Sequence, residues 1–140
     1  MLKIGQAAPM FVLPDADMED IDIARFRGNK NVILFFYPRD DTPACTLEAT
    51  DFSDHEDEFS RHGCTVFGIS RDDCLRHAEF RDKHGISVRL LSDGDGAACK
   101  QYGVWQERAS ATILITTVLS VATVTVLLYL IKSGLLPGDP

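Results

Sequence analysis

The residues best suited to chemistry lie in one short stretch, Tyr37-Pro38-Arg39-Asp40-Asp41-Thr42-Pro43-Ala44-Cys45-Thr46-Leu47-Glu48. Thr42 suits a helix N-cap and Pro43 the first helical position, so Cys45 is expected in the first turn of a helix. Unpaired backbone N–H groups and the positive end of the helix dipole favour a thiolate over a thiol at such a place. A thiolate is a nucleophile, and the chemistry it points to is thiol redox exchange. The all-apolar run Val32-Ile33-Leu34-Phe35-Phe36 just before it has no residue suited to a wet face. It reads as a buried, central strand over residues 32–37, which puts the cysteine at the mouth of a sheet.

The elements around this stretch follow from periodicity. Residues 11–13 and 20–26 read as short strands around a polar turn. From Thr42 to Gly63, Ala49, Phe52 and Phe59 recur at helical spacing, while Asp54, Glu56, Asp57 and Glu58 fall mostly on the other face. Gly63 supplies a C-terminal stop. Residues 64–69 form the next strand, and Asp72 is expected to cap a second helix reaching Gly85, with Leu75 and Ala78 inward. A third strand over 86–91 and a short helix over 96–102 complete the series. Strands alternating with helices imply parallel pairing and an α/β fold.

Composition narrows the function. At 140 residues and 45% hydrophobic content, the chain has enough for one well-packed domain. A net charge of −7 argues against nucleic acid as a partner, since that needs a basic face. Cysteines at 45, 64, 74 and 99 are spaced too widely for paired zinc ligands and too sparsely for a secreted disulfide scaffold. No metal and no cofactor is expected. The start, Met-Leu-Lys-Ile-Gly-Gln, has no apolar signal region, which predicts a cytoplasmic protein. His55, His62, His77 and His84 lie in charge-rich segments and read as solvated surface histidines.

The C-terminal part differs in kind. Residues 109–131 are 23 positions without a charge, glycine or proline. As a helix they would run about 34 Å, enough to cross a hydrocarbon core of roughly 30 Å. Against this, 12 of the 23 are Val, Ile or Thr, which favour strands. Three readings stand: one membrane helix, two buried strands, or a rearranged end without settled structure. The first is the expectation, with membrane contact through 109–131. The chain thus divides into a domain over 1–108, the apolar segment 109–131 and a short polar tail 132–140.

Pro38, Thr42 and Cys45 reproduce the Pro-x-x-x-Thr-x-x-Cys motif of peroxiredoxins. Gly5-Gln6-Ala7-Ala8-Pro9 looks like the N-terminal strand of one subgroup, and Gly68-Ile69-Ser70-Arg71-Asp72, Leu91-Ser92-Asp93-Gly94-Asp95 and Tyr102-Gly103-Val104-Trp105 match its later landmarks in order. The stretch from about Lys3 to Arg108 resembles the bacterioferritin comigratory or peroxiredoxin Q subgroup. The resemblance implies a thioredoxin-like α/β fold with an atypical or truncated C-terminal portion and a long apolar tail. It also implies a thiol-dependent peroxidase acting on hydrogen peroxide and organic hydroperoxides, in which Cys45 becomes a sulfenic acid. Thr42 would hydrogen-bond the peroxide and the thiolate, and Pro38 would shield the sulfur. Thioredoxin or another thiol would be the reductant.

Several positions depart from that family. Its active-site arginine lies on a strand well past the Gly-Val-Trp landmark, and Arg108 is too early to match. Losing a charge-assisted hydrogen bond forfeits roughly 1.5–3 kcal/mol, about ten- to a hundredfold or more in rate. Glu48, which matches an acid that braces the arginine, and Arg39 remain as supporting candidates. The usual resolving positions are occupied by Thr50 and Arg81, leaving Cys74 first and Cys99 second as candidates, with Cys64 behind. A cycle with one cysteine and an external thiol is the expectation. A disulfide reductase would need Cys-x-x-Cys, and neither position 42 nor 48 is cysteine. The alternative function is a catalytically weak, membrane-tethered redox sensor or interaction module.

Overall fold

The computed structural model describes residues 2–104, so the expectations for Arg108, for the apolar segment 109–131 and for the tail 132–140 lie outside the described residues. The chain opens with strand β1 (Val12–Pro14) and antiparallel strand β2 (Asp20–Asp22), followed by a 3-10 turn at Ile23–Phe26. Next come β3 (Asn31–Phe36), helices α1 (Pro43–Asp54) and α2 (Glu56–Arg61), and β4 (Cys64–Ser70). Helix α3 (Cys74–His84), β5 (Arg89–Ser92) and α4 (Ala97–Tyr102) follow. Strands β3, β4 and β5 pair in parallel in that order, which is the α/β arrangement expected of a thioredoxin-like fold.

Both faces of this sheet are covered, as the apolar β3 sequence requires. Ile33, Phe35 and Tyr37 project to one side, where Ala49 and Phe52 of α1, Phe59 of α2 and Phe80 of α3 meet Val66 and Leu90. Val32, Leu34 and Phe36 project to the other, against Leu13 and Ile21 of the hairpin, Ile23, Phe67, Leu91 and Ala98 of α4. Among the described residues β4 is the middle strand and β3 an outer one. Burial of both faces makes a strand apolar, and it does so without deciding which edges are paired.

The single helix expected from Thr42 to Gly63 is two. Ser53 donates its hydroxyl to the Ala49 carbonyl at 2.7 Å, and the His55 ring bonds the Asp51 carbonyl at 2.8 Å. Such back-bonding bends helices and competes with the backbone ladder, and the break falls at His55. Asp73, not Asp72, caps α3, accepting the Arg76 N–H at 2.9 Å. The inward face of α3 is also different from expectation: Leu75 is 64% exposed, while His77 and Phe80 are buried. Gly85 ends α3 with φ of 64°, a left-handed position that glycine adopts without strain. No described helix is long and apolar enough to cross a membrane.

Gly68 marks the tightest approach in the sheet. A Cβ there would lie 2.6 Å from the Phe35 ring and 2.9 Å from a Leu90 methyl. Gly68→Ala is expected to destabilise the protein by about 1–3 kcal/mol through overpacking. Denaturant unfolding of the two proteins checks this, and an unchanged midpoint would show that the two side chains yield freely.

Candidate active site

Tyr37 leaves the end of β3 with its N–H bonded to the Ile69 carbonyl at 3.1 Å, and the chain then turns through Pro38–Asp41 into α1. Pro38 and Arg39 are exposed, Asp40 is buried, and Asp41 is exposed with φ of 59°. Thr42 occupies the N-cap position with extended dihedrals and Pro43 begins the helix, as the sequence predicts. The Thr42 hydroxyl, however, makes no cap bond and instead donates to the Arg39 carbonyl at 3.3 Å. Cys45 is the third helical residue and 5% exposed. The helix's first backbone bond runs from the Thr46 N–H to the Thr42 carbonyl at 2.8 Å. Ala44 and Cys45 therefore present N–H groups ahead of the helical ladder, beside the sulfur. Cys45 also belongs to the apolar cluster of Phe35, Tyr37, Ala49 and Phe80, which forms its floor. Glu48 is exposed, one turn further along.

The turn that delivers Cys45 is tied down by two adjacent aspartates. Asp41 accepts from Lys83 Nζ at 2.6 Å and from His84 Nε2 at 2.7 Å, both near the end of α3. The bonds from Lys83 and then His84 hold its carboxyl below the usual carboxylate range. Asp40 turns inward. Its Oδ1 accepts from the Tyr37 hydroxyl and its Oδ2 from His77 Nδ1, each at 2.8 Å. Its own N–H donates to Asp72 Oδ2 at 2.7 Å, and Asp72 also takes the Ser70 hydroxyl at 3.0 Å. Burial, and then the negative charge of Asp40, push the Tyr37 phenol far above its ordinary range, so it remains a donor.

His77 corrects the sequence reading. It is 0% exposed, and its Nε2 has no hydrogen-bond partner among the described residues. The other three histidines are at or near the surface, with His84 half-buried. Neither Asp40 nor His77 was singled out for a role by motif or spacing. The usable signal was Phe80, three residues after His77 and on the same helical face.

The four cysteines are free thiols. Cys74 is half-buried at the first position of α3. Arg81, on the same helix, is engaged by Asp17 and Asp82 at 2.9 Å. Cys99 is buried in α4 against Asp93, whose carboxylate accepts the Cys99 N–H at 2.8 Å. Burial first, then the Asp93 carboxylate, push the Cys99 thiol up to about 12. No group of three or more His, Cys, Asp or Glu side chains that could hold a metal occurs among the described residues.

The sequence matches the AhpC/TSA family over residues 4–125, further than the motifs alone carry the resemblance. The peroxiredoxin Bcp of Escherichia coli K12 is 41% identical over 108 residues, covering 77% of this chain and 69% of that protein. Among solved structures, the peroxidoxin BcpB of Mycobacterium tuberculosis matches with a TM-score of 0.70 and 34% identity, over 74% of this chain and 67% of that one. A Xanthomonas campestris bacterioferritin comigratory protein, solved in a study of its alkyl peroxide reduction, matches with a TM-score of 0.65 and 32% identity. That match covers 67% of this chain and 59% of the other.

A thiol held near 12 is thiolate in only about one molecule in 10,000 at pH 8. Cys99 is therefore expected to alkylate with iodoacetamide about a thousandfold more slowly than a free cysteine. Its rate should rise about tenfold per pH unit with no plateau below about 12, whereas a free cysteine levels off above roughly 8.5. Peptide mapping after timed alkylation of the folded protein checks this, and labelling of Cys99 as fast as Cys74 would contradict it.

Proposed function

This chain belongs to the AhpC/TSA family and is a thiol-dependent peroxidase of the peroxiredoxin type, and on that premise we propose that Cys45 is its peroxidatic residue. The observation that carries the assignment is the seat of Cys45: a nearly buried sulfur in the first turn of a twelve-residue helix, beside N–H groups that the helix does not use.

In this reading the Cys45 thiolate attacks the terminal oxygen of a peroxide along the O–O axis. The O–O bond breaks as the S–O bond forms, and the sulfur keeps the terminal OH as a sulfenic acid. The departing alkoxide or hydroxide takes a proton from water and leaves as an alcohol or water. Sulfur is oxidised by two electrons and the peroxide is reduced by two. The N–H groups of Ala44 and Cys45 hold the charge that develops on the oxygens. In the same reading the Thr42 hydroxyl gives up its 3.3 Å bond to the Arg39 carbonyl to serve the thiolate and peroxide. Pro38 at the start of the turn screens the sulfur from bulk water.

An external thiol then attacks the sulfenic acid, releases water and forms a mixed disulfide that a second thiol resolves. Thioredoxin or a similar dithiol supplies both electrons. Thr50 and Arg81 in place of a resolving cysteine, and the raised Cys99 thiol, favour this cycle over an internal disulfide. Cys74 remains the internal candidate.

The peroxiredoxin relatives favour the peroxidase over a tethered sensor or interaction module. A cytoplasmic location, with 109–131 as the one segment of membrane-spanning length, is our reading of the sequence. Recovery of the full chain in the supernatant without detergent would remove the anchor, whereas recovery with the membranes would support it.

Peroxide-dependent oxidation of a thiol reductant is expected to fall at least a hundredfold in Cys45→Ser. With peroxide and no reductant, dimedone should label Cys45 alone, as seen by mass spectrometry. Turnover that survives in Cys45→Ser would move the chemistry to another cysteine, and a rapid Cys45–Cys74 disulfide would replace the one-cysteine cycle.

A further inference from the structure

Between the turn that presents Cys45 and helix α3 lies a buried polar cluster that the proposed chemistry does not use. Asp40 has both carboxylate oxygens and its N–H engaged, by Tyr37, His77 and Asp72. Its side chain and that of His77 are 2% and 0% exposed. A pair so deeply buried is seldom the most stable filling of its space, since well-packed apolar residues of similar volume do as well or better. His77 Nε2, buried and without a hydrogen-bond partner among the described residues, adds a further cost.

The cluster does one thing that an apolar pair would not. It fixes the direction of the turn. Asp41, next in the chain, has φ of 59°, a sparsely populated region for a residue with a side chain. Asp40 on its inner side and the Asp41 bonds to Lys83 and His84 on its outer side hold that backbone against the same helix. Thr42, the N-cap, follows immediately, so the first turn of α1 inherits its aim from this double attachment.

We propose that Asp40 and His77 are positioning residues for peroxide reduction: the buried carboxylate–imidazole pair ties the active-site turn to α3 and holds Thr42 and Cys45 in the pose that accepts peroxide. Tyr37 is the third member, clamping the other carboxylate oxygen and packing in the cluster that floors Cys45. The pair touches neither peroxide nor sulfur and acts through the backbone of residues 40–42. This inference rests on Cys45 being the peroxidatic residue.

The test compares two reactions of the same sulfur in the full-length protein. Reaction with peroxide needs the thiolate, the Thr42 hydroxyl and the helix-start N–H groups in register. Alkylation by iodoacetamide, followed on the Cys45 peptide, needs only an accessible thiolate. His77→Leu is expected to slow peroxide reduction about tenfold or more while alkylation stays within about twofold. His77→Asn, whose amide can donate from the place of Nδ1, should recover to within about threefold of the parent. Tyr37→Phe keeps the ring packing and should fall two- to fivefold, so the network is read even if His77→Leu fails to fold. An unchanged ratio of the two rates in Tyr37→Phe and in whichever His77 variants fold overturns the proposal. So does a His77→Asn protein as slow as His77→Leu. A parent chain that consumes no peroxide, or a Cys45→Ser chain that still does, sinks the Cys45 assignment instead.

Discussion

The carboxylate of Asp40 accepts the Tyr37 hydroxyl and the His77 ring at 2.8 Å each, almost out of reach of water. A buried charge of this kind tolerates no vacancy among its donors. Removing one partner of such a pair typically costs about 3–5 kcal/mol, because the remaining charge is left unsolvated. The surrounding elements must therefore bring three groups to one point: the end of β3, the turn after it and the inward face of α3. The parallel sheet makes that possible. Pairing of β3 with β4 puts Tyr37 level with Ser70, where the chain leaves the sheet toward α3.

Packing on the two faces of the sheet then separates chemistry from support. The face carrying Ile33, Phe35 and Tyr37 also carries Cys45, Phe80 and the polar cluster. The opposite face, with Val32, Leu34 and Phe36, is closed by the hairpin and α4. Gly68 lets Phe35 and Leu90 meet across the middle strand, which keeps the floor beneath the cysteine flat and filled.

Cys45 and Cys99 show how much electrostatics adds to burial. Each is buried, and each lies in the first turn of a helix. Cys45 opens a helix of twelve residues and faces backbone N–H groups that nothing else in the helix uses. Cys99 is likewise the third residue of its helix, but there the Asp93 carboxylate accepts the first-turn N–H groups of Ala98 and Cys99. There the nearby carboxylate disfavours a second negative charge, which adds to the effect of burial on the Cys99 thiol. Residue type and exposure alone would have treated the two sulfurs alike.

Local sequence by itself determined where Cys45 sits and which elements flank it. Thr42-Pro43 before Cys45 places it in a first helical turn because the extended N-cap backbone and the fixed φ of proline are local effects, although the Thr42 hydroxyl makes no cap bond. The apolar run of β3, the glycine stops at Gly63 and Gly85, and the alternation of strand and helix are legible for the same reason. Tertiary structure decided what depends on partners distant in the chain. It turned Leu75 out and His77 in, and gave the cap of α3 to Asp73. Asp72 was free to take the Asp40 N–H only because Asp73 took the cap. The pairing of Asp40 with His77, 37 positions away, follows from no periodicity. A charged residue beside solvent and one bound in a core look identical in sequence, and only the closing of α3 over the sheet distinguishes them.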